Sequence, residues 1–168
     1  DAESYSLKII QLIMPVRSHG ITYLENIIQE YNNDAPLVNE NASAYLGIIG
    51  VIGFFILLIM LFKRKTDKHE SIEYSRIVAL SELNICAVLF GTIGGFGTVF
   101  FVFISQTLRG FNRISVYIAF FCITTVCIIF NVVLDKLIKK TDDKRIHAAY
   151  ITAVILFMLF GIWEQNPH

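Results

Sequence analysis

Apolar residues along the chain fall into long runs without charged residues. The clearest run covers residues 46–62 and is followed at once by three basic residues. A second run covers residues 77–105, and two more cover residues 114–134 and 148–163. A run of about 20 apolar residues matches the thickness of the hydrocarbon core of a bilayer. The pattern therefore predicts an all-α integral membrane protein, a helical bundle with about four transmembrane helices.

The second apolar run is too long for one span. As a single straight helix it would extend roughly 43 Å, against a hydrocarbon core of about 30 Å. It also contains four glycines within residues 91–97, and such a cluster weakens a helix. We therefore predict a span over residues 76–93, a break, and a re-entrant or interfacial segment over residues 98–108. Non-helical backbone at membrane depth is tolerated only against protein or water, so the break indicates a cavity.

The first 45 residues differ from the rest and predict a region on the outer face of the membrane. Residues 7–14 are apolar but too short to span, and Pro15 ends them, which is typical of an interfacial or re-entrant piece. Residues 21–31 show apolar positions at helical spacing and predict a short amphipathic helix on the membrane or on the rest of the protein. Residues 164–168 are predicted to form an outer tail.

Glycines in the first span recur every third residue, at Gly47, Gly50 and Gly53. One side of this helix is therefore nearly bare backbone. In lipid, faces made of small residues let a second helix approach closely. We expect this face to be a helix contact, although a helix that merely contains glycine is the simpler alternative.

Positive charge is distributed unevenly between the loops. Ten of the 14 lysines and arginines lie in the two loops 63–76 and 135–147. By the positive-inside rule both loops are cytoplasmic, and with four spans both chain ends lie outside. The resulting prediction is a multi-pass protein of the bacterial inner membrane. The mean hydropathy of +0.60 and a charged fraction of only 17% agree with a membrane protein.

Several function classes receive no support from the sequence. The formal net charge is zero, so nothing suggests a nucleic-acid partner. The three cysteines all lie inside apolar runs, and the four histidines show no ligand spacing, so no metal site is predicted. No phosphate-binding loop, dinucleotide fingerprint or nucleophile motif is present, so we predict no cofactor and leave the catalytic residue unknown.

Two arginines and an asparagine lie together on the predicted outer side: Arg109, Asn112 and Arg113. They come directly after the broken segment, and positive charges on the outer side are an exception to the positive-inside rule. Guanidinium groups bind phosphate in a two-pronged fashion, so these residues are candidate ligands for a lipid-linked phosphate. The alternative is that the two arginines only anchor the chain at the interface.

Other polar residues are weaker candidates for substrate contacts. His19, Asn39 and Glu40 lie in the predicted outer region, where His19 could carry a proton near neutral pH. Glu82 and Asn84 lie inside the second span, where a charged group defaults to a functional or paired role. Because Glu82 is only about 9 Å of helical rise from Arg76, it could instead extend to the cytoplasmic interface.

Four stretches together resemble the later membrane portion of large bacterial proteins described as sugar or phosphoglycerol transferases. The stretches are residues 11–15 (QLIMP) with His19, residues 35–41 (APLVNEN) leading into 46–50 (LGIIG), residues 91–97 (GTIGGFG) and residues 109–115 (RGFNRIS). Those proteins look like members of the GT-C class of glycosyltransferases, which use lipid-linked donors at the outer face. The resemblance implies that the catalytic carboxylate lies in an earlier outer loop, in the remainder of a larger chain.

The resemblance therefore implies part of a membrane transferase acting on a lipid-linked sugar or glycerophosphate. Its partners would be membrane lipid and a polyprenyl-phosphate-linked donor, held by the arginines beside the break. Two other classes remain open. A transporter or flippase module would suit the broken helix and the intramembrane Glu82. A structural membrane subunit would suit the glycine face of the first span.

Overall fold

The computed structural model describes residues 6–14, 44–63, 71–103, 113–140, 151–156, 159 and 161. Regular structure in these residues is helical, which confirms the all-α prediction. The helices are α1 (Ile9–Ile13), α2 (Gly47–Phe62), α3 (Ile72–Gly91), α4 (Phe96–Phe103) and α5 (Ile114–Lys140). Residues 151–156, 159 and 161 are helical as well.

Within the described residues, two helices are long and apolar enough to cross a membrane: α3, and α5 as far as Lys136. Only 28% and 17% of their most apolar windows are buried, whereas the core helix of a soluble protein is mostly buried. Helix α2 contains no charged residue, but its 16 residues give only about 24 Å. Since residues 148–163 are described only in part, the four-span bundle stays a prediction.

Helices α3 and α5 extend beyond the predicted spans. Helix α3 begins at Ile72 rather than at residue 76 because Ser71 caps it, with the Ser71 hydroxyl accepting from the Tyr74 N–H at 3.3 Å. Helix α5 continues past residue 134 to Lys140. Charged residues such as Lys136 are good helix formers, so they mark the edge of an apolar run without ending the helix.

The break in the second apolar run lies at the predicted glycine cluster. Helix α3 ends at Gly91, a turn follows, and α4 begins at Phe96. Gly94 has a φ of 71°, a left-handed conformation that side chains disfavour. The outer part of the predicted re-entrant segment, residues 104–108, lies outside the described residues.

Helices α2, α3 and α5 pack against one another and form the core. Helix α3 runs opposite to α2: the Tyr74 hydroxyl donates to the Lys63 carbonyl at 2.8 Å at one end, and Ser81 contacts Leu57 nearer the middle. The main buried residues on the three helices are Gly50, Gly53, Phe54 and Leu57 on α2, Ile77, Ser81, Asn84 and Val88 on α3, and Ile118, Cys122 and Thr125 on α5.

The predicted glycine face of α2 is a helix contact at Gly53. A Cβ atom at this position would lie 2.8 Å from the carbonyl carbon of Cys122 and 3.0 Å from its Cα. Real Cβ atoms do not approach backbone so closely, so only glycine fits between α2 and α5 here. Gly50 faces the Leu46 side chain of its own helix instead.

The bundle has two chemically different ends. We call the end with the start of α2 and the end of α3 the glycine end, because the turn between α3 and α4 lies there. We call the opposite end, with Lys63 and the start of α3, the lysine end. The loop 63–76, which is rich in basic residues, joins α2 to α3 at the lysine end.

Candidate functional site at the glycine end

The segment before α2 is anchored to the glycine end by main-chain hydrogen bonds. The Leu7 N–H donates to the Gly91 carbonyl at 2.8 Å, and the Leu7 carbonyl accepts from the Ile93 N–H at 3.2 Å. Further along, the Leu46 N–H donates to the Leu12 carbonyl at 3.1 Å. These bonds satisfy main-chain groups that the helix ends leave without intrahelical partners.

The same segment buries its apolar side chains in the bundle. Leu7 and Leu12 are fully buried, and Ser6 is nearly so. The Lys8 main-chain N–H donates to the Gln11 side-chain oxygen Oε1 at 3.1 Å. This bond caps the start of the short helix α1. Residues 7–14 were expected to be interfacial or re-entrant, and the structure packs Leu7 and Leu12 of this segment against the core.

Three of the stretches that carry the family resemblance meet at this end. Leu12 belongs to the first stretch, Leu46 to the second and Gly91 to the third, and the main-chain bonds described above join all three regions. Arg113, from the fourth stretch, immediately precedes α5 and is exposed. Three segments that are far apart in the sequence are therefore bonded to one another at the glycine end.

Lys8, at the glycine end, and Arg113, just before α5, are both positively charged. Lys8 is partly exposed and Arg113 is exposed. The described carboxylates, Glu73, Glu82 and Asp135, all lie elsewhere on α3 and α5. Such an end attracts anions, and Arg113 can offer a guanidinium group to one.

The turn at this end leaves one buried hydroxyl without a partner. Thr98, in the first turn of α4, has a buried Oγ1 with no hydrogen bond to any described residue. The main chain of the turn is bonded internally: the Gly95 N–H donates to the Thr92 carbonyl at 2.9 Å, and the Thr98 N–H donates to Gly95 at 3.0 Å.

Of the six candidate site residues, the structure describes Arg113. The other five, His19, Asn39, Glu40, Arg109 and Asn112, lie outside the described residues. The described part contains no histidine and no cluster of side chains that could hold a metal ion.

Polar side chains in the middle of the bundle point inward. Ser81, Asn84 and Thr125 are at most 1% exposed. Ser81 Oγ donates to the Leu57 carbonyl on α2 at 3.0 Å, and Thr125 Oγ1 donates to the Phe121 carbonyl of its own helix at 2.9 Å. Neither polar atom of Asn84 has a partner among the described residues. Of these three residues, the sequence singled out only Asn84.

The outer surface of the helices is largely apolar. On α2 the exposed side chains follow one stripe at helical spacing, and α5 and α4 show similar faces. Examples are Ile48, Ile52, Phe55, Ile59 and Phe62 on α2, Val116, Tyr117, Phe120 and Ile123 on α5, and Phe96, Val99 and Phe103 on α4. So many large apolar side chains on the outside are unusual for a water-soluble bundle.

We expect the Ser81 hydrogen bond to stabilise the contact between α2 and α3. Replacing Ser81 with alanine removes the donor to the Leu57 carbonyl and should lower the free energy of unfolding by about 0.5–1.5 kcal/mol. Unfolding of the purified protein in mixed micelles would measure this. Ser75→Ala, at an exposed position of the same helix, is the matched control, and equal effects of both changes would refute the role of the bond.

Comparison with models of known protein families gives no match, and neither do comparisons with curated proteins or with solved structures. The resemblance to GT-C transferases therefore stays a prediction based on the four stretches.

Proposed function

We propose that the chain is the membrane-embedded part of a bacterial inner-membrane transferase that acts on a lipid-linked sugar or glycerophosphate at the outer face. The observation that supports this most directly is the meeting of the resemblance stretches at the glycine end. In this proposal the exposed Arg113 lies beside the bonded segments, where its guanidinium group would suit an anionic headgroup at the bilayer surface.

The proposed membrane position rests on the distribution of side chains. Large apolar residues cover the outside of α2, α4 and α5, while Ser81, Asn84 and Thr125 lie inside. Hydrocarbon can solvate such an exterior, and water solvates it poorly. The positive-inside rule then assigns the lysine end to the cytoplasm and the glycine end to the outer face.

Chemical labelling of Cys127 tests the proposed position of the bundle in the membrane. Cys127 is exposed on the chain surface and lies midway along α5, 13 residues from both Ile114 and Lys140. In native membrane vesicles of either orientation, a membrane-impermeant maleimide should leave Cys127 unmodified, and it should react after unfolding in sodium dodecyl sulfate. Mass spectrometry of the Cys127 peptide gives the readout. Labelling in sealed vesicles at the level of the unfolded sample would contradict the embedding of α5.

In the proposed site, Arg109 and Arg113 hold the donor phosphate and Asn112 orients it. The Gly91–Gly95 turn ends α3, and at Gly94 it leaves open space. His19, Asn39 and Glu40 would contact the transferred group or the acceptor from the outer region. The catalytic carboxylate would come from an earlier outer loop, as the resemblance implies.

We expect Arg109→Ala to reduce transfer by at least about 100-fold in the full protein, because it removes a preorganised charged donor from the phosphate. Arg109→Lys should retain part of the activity, since it keeps the charge but loses the two-pronged geometry. The measurement is transfer from a radiolabelled lipid-linked donor in native membranes.

Arg76→Ala is the matched control for the arginine change, because Arg76 is exposed near the lysine end. It should leave transfer unchanged. Equal membrane levels of all variants would show that insertion is intact. Turnover by Arg109→Ala at the wild-type rate would remove the phosphate-clamp hypothesis.

A transporter or flippase is the second candidate, and the helix break between α3 and α4 favours it. The two functions differ in their products. A flippase moves an intact lipid-linked donor across the bilayer, whereas a transferase releases the carrier lipid without its group. Chromatography of the carrier after incubation with the full protein separates the two.

A further inference from the structure

Glu82 lies on the outside of α3 at a level well inside the apolar part of the bundle. Its neighbour Ser81 bonds the Leu57 carbonyl, so Glu82 is at the height of Leu57 on α2. Leu57 is six residues from Lys63, or about 9 Å along a helix. Glu82 is exposed, so it faces away from the three-helix core.

The Glu82 side chain is too short to reach the lysine end. Three carbon–carbon bonds extend it by about 4 Å, less than half of the distance. Among the described residues it has no ion pair and no hydrogen bond. A carboxylate in this position is strongly disfavoured in hydrocarbon unless a cation or hydrogen-bond donors meet it.

The described helices supply no cation at this level. Helices α2 and α4 contain no charged residue, and the lysines of α5 begin at Lys136, 14 residues or about 21 Å along the helix from the Cys122 contact with Gly53. Arg76 on α3 itself is six residues from Glu82, which places it outside the i±3 and i±4 positions that can pair on a helix. The apolar stretch 148–163 also lacks charged residues.

The face of α3 that carries Glu82 can admit another helix. Ala79 and Cys86 lie one turn before and after Glu82, and both are exposed. These small side chains let a second backbone come close enough for a direct contact with the carboxylate. A second copy of this chain is a poor occupant, because the symmetric contact would bring two Glu82 carboxylates together.

We propose that the Glu82 face of α3 docks a partner transmembrane helix, from outside residues 1–168, that carries a lysine or arginine at the depth of Glu82. The proposal rests on the membrane position proposed above. The partner is recognised by charge complementarity: a basic side chain neutralises Glu82, while the small residues Ala79 and Cys86 set the distance of approach.

Photo-crosslinking in native membranes tests the proposal. The photoreactive residue p-benzoylphenylalanine is placed at position 79, and the matched control places it at the exposed position 52 on α2. The crosslink from position 79 should contain an apolar peptide with a lysine or arginine near its middle, identified by mass spectrometry. Glu82→Leu should reduce its yield at least about tenfold, and Glu82→Asp should retain most of it.

Charge exchange provides the decisive variant. Glu82→Lys should abolish the crosslink, and replacing the basic residue of the partner helix with glutamate should restore it. A crosslink to a second copy of this chain, a crosslink to lipid alone, or a yield unaffected by Glu82→Leu would each overturn the proposal.

Cysteine labelling separates failure of this proposal from failure of the membrane position. Cys86 lies on the Glu82 face and Cys127 lies on α5, and both are exposed on the chain. Labelling of both by an impermeant maleimide in sealed vesicles would contradict the membrane position itself. Labelling of Cys86 alone would show that the Glu82 face borders water, which overturns the docking proposal and leaves the membrane position intact.

Discussion

Gly53→Ala should destabilise the helix bundle by at least about 3 kcal/mol, the upper part of the range for overpacked cores. The added Cβ would overlap the main chain of Cys122, with 2.8 Å to its carbonyl carbon. A side chain could rotate away from such an overlap, but backbone cannot. Helices α2 and α5 therefore have to separate, and the neighbouring contacts of Phe54 and Leu57 in the core weaken with them.

The measurement is the fraction of folded protein during thermal unfolding in mixed micelles, together with the yield from membranes. Gly161→Ala is the matched control, because its Cβ would meet only the Ile49 Cδ1 atom at 3.6 Å, an ordinary contact. If Gly53→Ala and Gly161→Ala unfold at the same temperature, then α2 and α5 do not cross at Gly53.

The second large effect is expected at the turn between α3 and α4. A Cβ at Gly95 would overlap the Leu89 carbonyl oxygen and lie 2.9 Å from the Thr92 carbonyl oxygen. Gly95→Ala should therefore open the turn and release Leu7 from its bonds to Gly91 and Ile93. We expect a loss of stability of about 2–4 kcal/mol.

Substitutions of Gly94 should destabilise the turn less than Gly95→Ala does, so they provide a comparison. Gly94 has open space around it but a φ of 71°, so Gly94→Ala should cost about 1–2 kcal/mol for its backbone conformation alone. Gly94→Asn should cost less, because asparagine tolerates this conformation better. Limited proteolysis and thermal unfolding measure the order of stability of the three variants. A Gly95→Ala variant as stable as Gly94→Asn would contradict the structure of the turn.

The local features of the fold could be predicted from the sequence. The glycine cluster at residues 91–97 predicted a helix break, and α3 ends at Gly91. The uncharged run 46–62 predicted a helix, and α2 covers Gly47–Phe62. Both depend on short-range chemistry: glycine destabilises a helix locally, and uninterrupted apolar residues favour one in lipid.

Helix limits were less predictable from hydropathy, because the end of an apolar run is not the end of a helix. Ser71 caps α3 among polar residues, and α5 continues through Lys136. A search for capping residues as well as for apolar runs would have identified the Ser71 start.

The arrangement of the candidate site depends on contacts between distant residues, which no local pattern contains. Nothing in residues 6–14 indicates that Leu7 pairs with Gly91 and Ile93. The inward position of Ser81 was recognisable in principle, because Ile77, Ser81, Asn84 and Val88 share one face at spacings of three and four residues. Charge alone identified Arg113, which is exposed just before α5.

The pairing of Leu7 also constrains the order in which the protein can assemble. Leu7 is among the first described residues to leave the ribosome, but Gly91 and Ile93 must be synthesised before its main-chain groups find their partners. Segment 6–14 therefore has to remain in water or at the bilayer surface, where its main-chain groups stay hydrated, until α2 and α3 are in place. The earliest part of the bundle to be translated is in this way among the last to dock.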